Sequence, residues 1–144
     1  MQTHLAAALG SVVLTAGTLL GAPAAGAQTS AYPVTSVPPI EVGNTWTKGT
    51  ITWYNRSVAV TGTHKSVSAA GPAYCRRTWV YTYDAAGAQL GSGGSYAADT
   101  ACGTTKNYSS FTVPADVPGG AALVRVCLDD GNLKDLLCQP FRRP

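Results

Sequence analysis

Between Gly49 and Phe141 no stretch of about 15 residues keeps the apolar spacing of a helix. Instead, short runs rich in β-branched and aromatic residues alternate along the chain, separated by Gly, Pro and Asp clusters. Such a chain can fold into strands and turns and little else. Thr50 to Val60 (TITWYNRSVAV) reads as one strand, with Ile51 and Trp53 on one side of the pleat and Tyr54 and Val58 on the other. Tyr74 to Tyr83 sets Cys75, Arg77, Trp79, Tyr81 and Tyr83 against Tyr74, Arg76, Thr78, Val80 and Thr82. Asp84-Ala85-Ala86-Gly87 is turn chemistry, and Ala88 to Ser92 begins the return. Lys106 to Val113 offers Tyr108 and Phe111 for packing. Ala121 to Leu128 aligns Ala122, Val124, Val126 and Leu128, and Leu136 to Phe141 returns after the turn at Asp129-Asp130-Gly131-Asn132. Five to seven strands of this kind predict an all-β fold, a small antiparallel β-sandwich of immunoglobulin-like type.

The first residues have a different character. Leu5 to Leu20 (LAAALGSVVLTAGTLL) is uncharged, and Ala25-Gly26-Ala27 has the A-x-A form of an export cleavage site. A bilayer span needs roughly 20 apolar residues, so residues 1–27 read as a signal peptide and no stable membrane insertion is expected after cleavage. The n-region offers only the α-amino group and His4, where Lys or Arg is usual. All charged side chains lie beyond the cut, 10 basic against 7 acidic, for a net charge of +3. They are scattered, which argues against a nucleic-acid partner and against a polybasic membrane surface. On a strand Arg76 and Arg77 point to opposite sides, and Arg142-Arg143 reads as a solvated tail.

Residues 28–47 (QTSAYPVTSVPPIEVGNTWT) hold Pro33, Pro38 and Pro39 and a single charge, Glu41. Proline fixes φ and pushes its predecessor toward extended geometry, so this segment cannot be helical. Tyr32, Val34, Val37, Ile40, Val42 and Trp46 make it far more apolar than a tether. It is read as an extended arm ahead of a sandwich at 48–144, packing on its own domain as an edge strand or waiting for a partner.

Four cysteines in an exported chain read as two disulfides. Cys127 and Cys138 flank the Asp130-Gly131 turn and Cys75 and Cys102 flank the Asp84 hairpin, so these pairings are expected. A four-thiolate zinc site would need C-x-x-C pairs, whereas the spacings are 27, 25 and 11. Catalytic chemistry finds little footing. Beyond the signal the one histidine is His64, in the polar run Thr61-Gly-Thr-His-Lys-Ser, which reads as an exposed loop. No G-x-S-x-G occurs. Most of the acids, Glu41, Asp84, Asp99, Asp116, Asp129, Asp130 and Asp135, sit in turns, against a glycosidase pair. Asp129, Asp130, Asn132 and Asp135 lack the order of a known calcium loop and read as a solvated hairpin turn. No enzyme, metal or cofactor is expected. The sequons at Asn55 and Asn107 matter only in a eukaryotic pathway.

The rings of Trp53, Tyr54, Trp79, Tyr81 and Tyr83 fall on adjacent strands. An open row of them would make a sugar-stacking platform. Trp79, Tyr81 and Tyr83 share a face with Cys75, which assigns most of them to the core.

Gly49-Thr-Ile-Thr-Trp-Tyr-Asn-Arg-Ser-Val58, Val60-Thr-Gly62, Val113-Pro-Ala-Asp-Val-Pro-Gly-Gly-Ala121 and Val124-Arg-Val-Cys127 resemble a family of small secreted proteins from Streptomyces and related actinobacteria. The chain is also similar to the small adaptor subunit of umbrella toxin particles, antibacterial complexes in which the adaptor ties a lectin-like subunit to a toxin stalk. That resemblance implies a disulfide-bonded sandwich whose N-terminal arm inserts into its partner. The leading expectation is therefore a secreted, non-enzymatic adaptor. Its arm residues Tyr32, Val34, Val37, Ile40, Val42 and Trp46 would pair with another secreted protein. The alternatives are a cell-wall or carbohydrate-binding domain using the aromatics, and an extracellular protease inhibitor presenting the Gly91 to Thr105 loop.

Overall fold

The computed structural model describes residues 31–144; the signal-peptide reading of residues 1–27 and the start of the arm lie outside the described residues. Eight strands form two antiparallel sheets: β1 (Val34–Val42), β2 (Thr45–Trp53), β3 (Ser57–Lys65), β4 (Arg76–Tyr83), β5 (Gln89–Gly94), β6 (Thr105–Pro114), β7 (Leu123–Asp130) and β8 (Asp135–Arg142). One sheet runs β1-β2-β3-β6 and the other β5-β4-β7-β8. They enclose a core of Val37, Ile40, Ile51, Trp53, Val58, Val60, Val80, Phe111, Val113, Val124, Val126 and Leu128. This is the all-β sandwich expected, with both disulfides paired as the hairpins suggested, Cys75–Cys102 and Cys127–Cys138.

Of the two fates the sequence leaves open for the arm, the structure shows the edge strand. Residues 34–42 are the edge strand β1, paired with β2, and the compact unit begins at Ala31. The boundary at 47/48 therefore falls inside β2. Val37 and Ile40 enter the core because a register shift at Pro38-Pro39 turns both inward. Proline cannot donate to a ladder, which confines the pair to an outer strand. Trp53 is tied to this strand twice, through Nε1 to the Thr35 hydroxyl at 2.8 Å and through its amide to the Pro33 carbonyl at 2.9 Å.

Thr50 to Val60 is not one strand. The chain reverses between Trp53 and Ser57, with the Tyr54 amide bonded to the Ser57 carbonyl, so Trp53 and Val58 face each other and share the core side. Gly49 and Gly62 are cross-strand partners whose backbones approach too closely for any Cβ, and the Tyr108 hydroxyl sits against both.

His64 is a second correction, because it lies on β3 and is fully buried. Its Nε2 donates to the Asp99 carbonyl at 2.6 Å, leaving Nδ1 to accept from the Thr78 hydroxyl at 3.1 Å. Thr47 in turn meets Thr78 at 2.6 Å, and the Tyr108 ring stacks on the imidazole at 5.0 Å. Burial holds the His64 pKa below its usual 6.5, with Arg77 and Lys106 adding to the effect and the Asp99 carbonyl and carboxylate opposing it. A depressed pKa means that the unfolded chain binds the proton more readily. Stability is then full above the unfolded value and falls as the pH drops below it. The melting temperature is expected to decline as the pH falls below 6.5, and His64→Gln to flatten that slope. An unchanged slope would separate the imidazole from acid stability.

Candidate binding face

Alternation along β4 sends Thr78, Val80 and Thr82 into the core and leaves Arg77, Trp79, Tyr81 and Tyr83 half-buried on the outer side of the sheet. The sequence reading had put these rings inside. Two threonines are tolerable in the core because their hydroxyls are satisfied, Thr78 by Thr47 and His64 and Thr82 by the Pro114 carbonyl at 2.6 Å. The face once assigned to the core is thus the open one.

Neighbouring strands complete this surface. Trp79 pairs with Gly94 on β5, and a methyl group added at Gly94 would collide with its Cε3, so the indole lies directly across the bare glycine backbone. β5, with the sequence QLGSGG, raises no bulky side chain beside it. Tyr81 is opposite Arg125 on β7, whose guanidinium stacks 4.7 Å from the Tyr81 ring centre and 5.8 Å from that of Tyr83. The Tyr81 hydroxyl reaches the Asp135 carboxylate at 3.1 and 3.2 Å. Arg77 donates through Nη2 to the Ser95 carbonyl, while the Nε groups of both Arg77 and Arg125 are buried without an acceptor.

Asp129 lies across the ladder from Arg77 and is 1% exposed, with no donor on either oxygen. Burial first, then the adjacent Asp135 carboxyl and the charge of Asp130, push its pKa up to about 8 against the pull of Arg77. A group whose folded pKa is raised supports the fold fully below its unfolded value of 3.8, and that support is lost as the pH rises through about 8. Asp129→Asn, which mimics the protonated form, is expected to stabilise the domain by about 1–2 kcal/mol at alkaline pH and to change little in acid. Urea unfolding at both ends of the range checks this. Equal effects at both would show that the carboxyl charge is not the cause.

The acids once read as one solvated hairpin turn are divided by the structure. Asp130 closes the turn by accepting from the amides of Asn132 and Lys134, whereas Asp129 and Asp135 stand on the outer face. Among the described residues the one cluster of metal-donor atoms is Cys127, Cys138 and Asp135, and both sulfurs are committed to a disulfide. At the end of the aromatic row, Tyr83, Leu123 and Arg142 line a hollow of about 330 Å³. It adjoins a larger one of about 710 Å³ that shares Asp84, Ala85, Ala86, Ala122 and Arg142. Arg142, expected in a loose tail, is on β8 instead.

The six arm residues are not brought together. Tyr32 rests edge-on against Tyr54 at 4.6 Å, Val34 and Val42 are exposed, Val37 and Ile40 are buried, and Trp46 is half-buried beneath the Lys48 ammonium at 5.0 Å. In the segment offered as an inhibitory loop, residues 91–94 belong to β5, and the rest is held by Cys102 and by the His64–Asp99 bond.

Fold and site together define a two-disulfide β-sandwich with an aromatic, arginine-bearing outer face, and the disulfides suit an oxidising compartment. Comparison with protein-family models, curated proteins and solved structures returns no match for this chain.

Proposed function

We propose that this protein is a secreted, non-catalytic binding module that holds a polysaccharide on the outer face of the β5-β4-β7-β8 sheet. The observation behind this reading is the Trp79 indole lying across Gly94, beside a strand without bulky side chains. Pyranose rings stack on such a flat apolar surface, and the hydroxyls and charged groups around it supply directional bonds. Secretion rests on the uncharged leader with its Ala-Gly-Ala site and on the two disulfides.

A pull-down on insoluble polysaccharides tests the reading. Trp79→Ala is expected to lower retention about thirtyfold, the loss of a hot-spot contact worth about 2 kcal/mol. Trp53 belongs to the core and is unsuitable as a binding variant. Retention of the Trp79 variant equal to that of the unaltered chain would remove this face from the proposal.

A second reading, an adaptor in a secreted toxin complex, is favoured by one feature. Val34 and Val42 are exposed on β1, a strand with a single neighbour, and Tyr32 is exposed just ahead of it. Val34→Glu with Val42→Lys leaves Val37 and Ile40 in place. Loss of a co-purifying protein from this variant, but not from Trp79→Ala, would favour the adaptor over the polysaccharide module.

A further inference from the structure

We infer that the polysaccharide held on this face is polyanionic, with a carboxylate on its sugar rings; the inference rests on the reading of the face as a glycan site. Three arginines border the aromatic row. Arg77 is on the same strand, Arg125 is opposite Tyr81, and Arg142 lies on β8 across Leu123 from Tyr83. Alternate residues on one face of a strand are about 6.7 Å apart, so rings and guanidinium groups succeed one another along the sheet at the scale of single sugar units. A chain of uronic acid residues matches that order, because each of its rings carries its own charge beside its stacking face. A phosphate polymer without pyranose rings would satisfy the arginines and leave Trp79 unused.

The charge balance of the face points the same way. The Asp129 pKa is pushed up to about 8, which weakens its negative charge beside the guanidinium groups, and Asp135 is its partner across the β7-β8 ladder. Asp84, at the hollow, is held in its own turn by the amides of Ala86 and Ala88, both bonded to its Oδ1. The arginines are also not used up by the fold. The Arg142 side chain has no hydrogen bond or ion pair among the described residues, and the Arg125 side chain is 41% exposed, with Asp135 a loose 3.9 Å away. Planar guanidinium groups with spare donors are suited to two-point contact with carboxylates.

The test is affinity electrophoresis of the folded chain in gels of polygalacturonate, of its fully methyl-esterified form, and of polyglutamate. Expected is retention by polygalacturonate that weakens steeply between about 50 and 300 mM salt. Retention by the ester is expected to be about tenfold weaker. Trp79→Ala should lose retention, and Arg142→Ala, at an exposed position outside the core, should lower it about fivefold; Arg125→Lys provides a second variant. Equal retention by acid and ester, both lost in Trp79→Ala, would overturn the charge inference and leave the glycan site standing. Retention by polyglutamate equal to that by polygalacturonate, insensitive to Trp79→Ala, would overturn it in favour of general electrostatic attraction. No retention by any polymer would overturn the inference together with the site on which it rests.

Discussion

Deleting residues 31–44 is expected to leave a chain that no longer folds. Val37 and Ile40 lie in the core, and each fully buried aliphatic side chain contributes about 1.5–3 kcal/mol. Their removal also strips β2 of its outer partner, uncovers Ile51, and leaves the Trp53 indole N–H without the Thr35 hydroxyl. The combined loss reaches the whole stability of a typical domain, about 5–15 kcal/mol. Near-ultraviolet circular dichroism and thermal melting check it. A truncated chain that still melts cooperatively would show β1 to be dispensable, as a free partner-seeking arm should be.

Loss of both disulfides comes next in size. Closing loops with sequence separations of 27 and 11 removes unfolded-state entropy worth about 3.5 and about 3 kcal/mol. Cys75→Ala with Cys102→Ala should cost slightly more than Cys127→Ala with Cys138→Ala. The two bridges also act in different places. Cys75–Cys102 anchors the loop that delivers the Asp99 carbonyl to His64, whereas Cys127–Cys138 staples the β7-β8 hairpin on the binding face itself, in one row with Trp79. The first double variant is therefore expected to steepen the acid loss of stability, and the second to weaken retention on polysaccharide. Urea midpoints that barely move in either would mean that the sandwich core suffices without staples.

Much of the binding face was in view along the sequence, though misread. Trp79, Tyr81 and Tyr83 stand on one side of a strand in any reading, since alternation demands it. A period of two does not say which side is wet. The rings appeared to outweigh Thr78 and Thr82 as core residues, and only the neighbours reversed this. Pairing with β7 puts Val80 in one row with Val126, and the facing sheet brings Thr47 and His64 to the Thr78 hydroxyl. Those contacts span 14 to 31 residues or more, beyond what local pattern can report. Arg125, Asp135 and Arg142 went unassigned for the same reason, because they join the aromatic row through the β4-β7 and β7-β8 ladders and not through any motif.

The sequence by itself determined the all-β class and the turns at Asp84 and Asp130, and it favoured the observed cysteine pairing, because each is a short-range matter of side-chain alternation, turn chemistry and hairpin geometry. Tertiary structure alone decided that residues 34–42 close a sheet, that His64 is buried, and that the aromatic side of β4 faces water. The physical reason is that local patterning divides a strand into two faces, while the choice between them is made by apolar area and hydrogen-bond partners brought from distant parts of the chain.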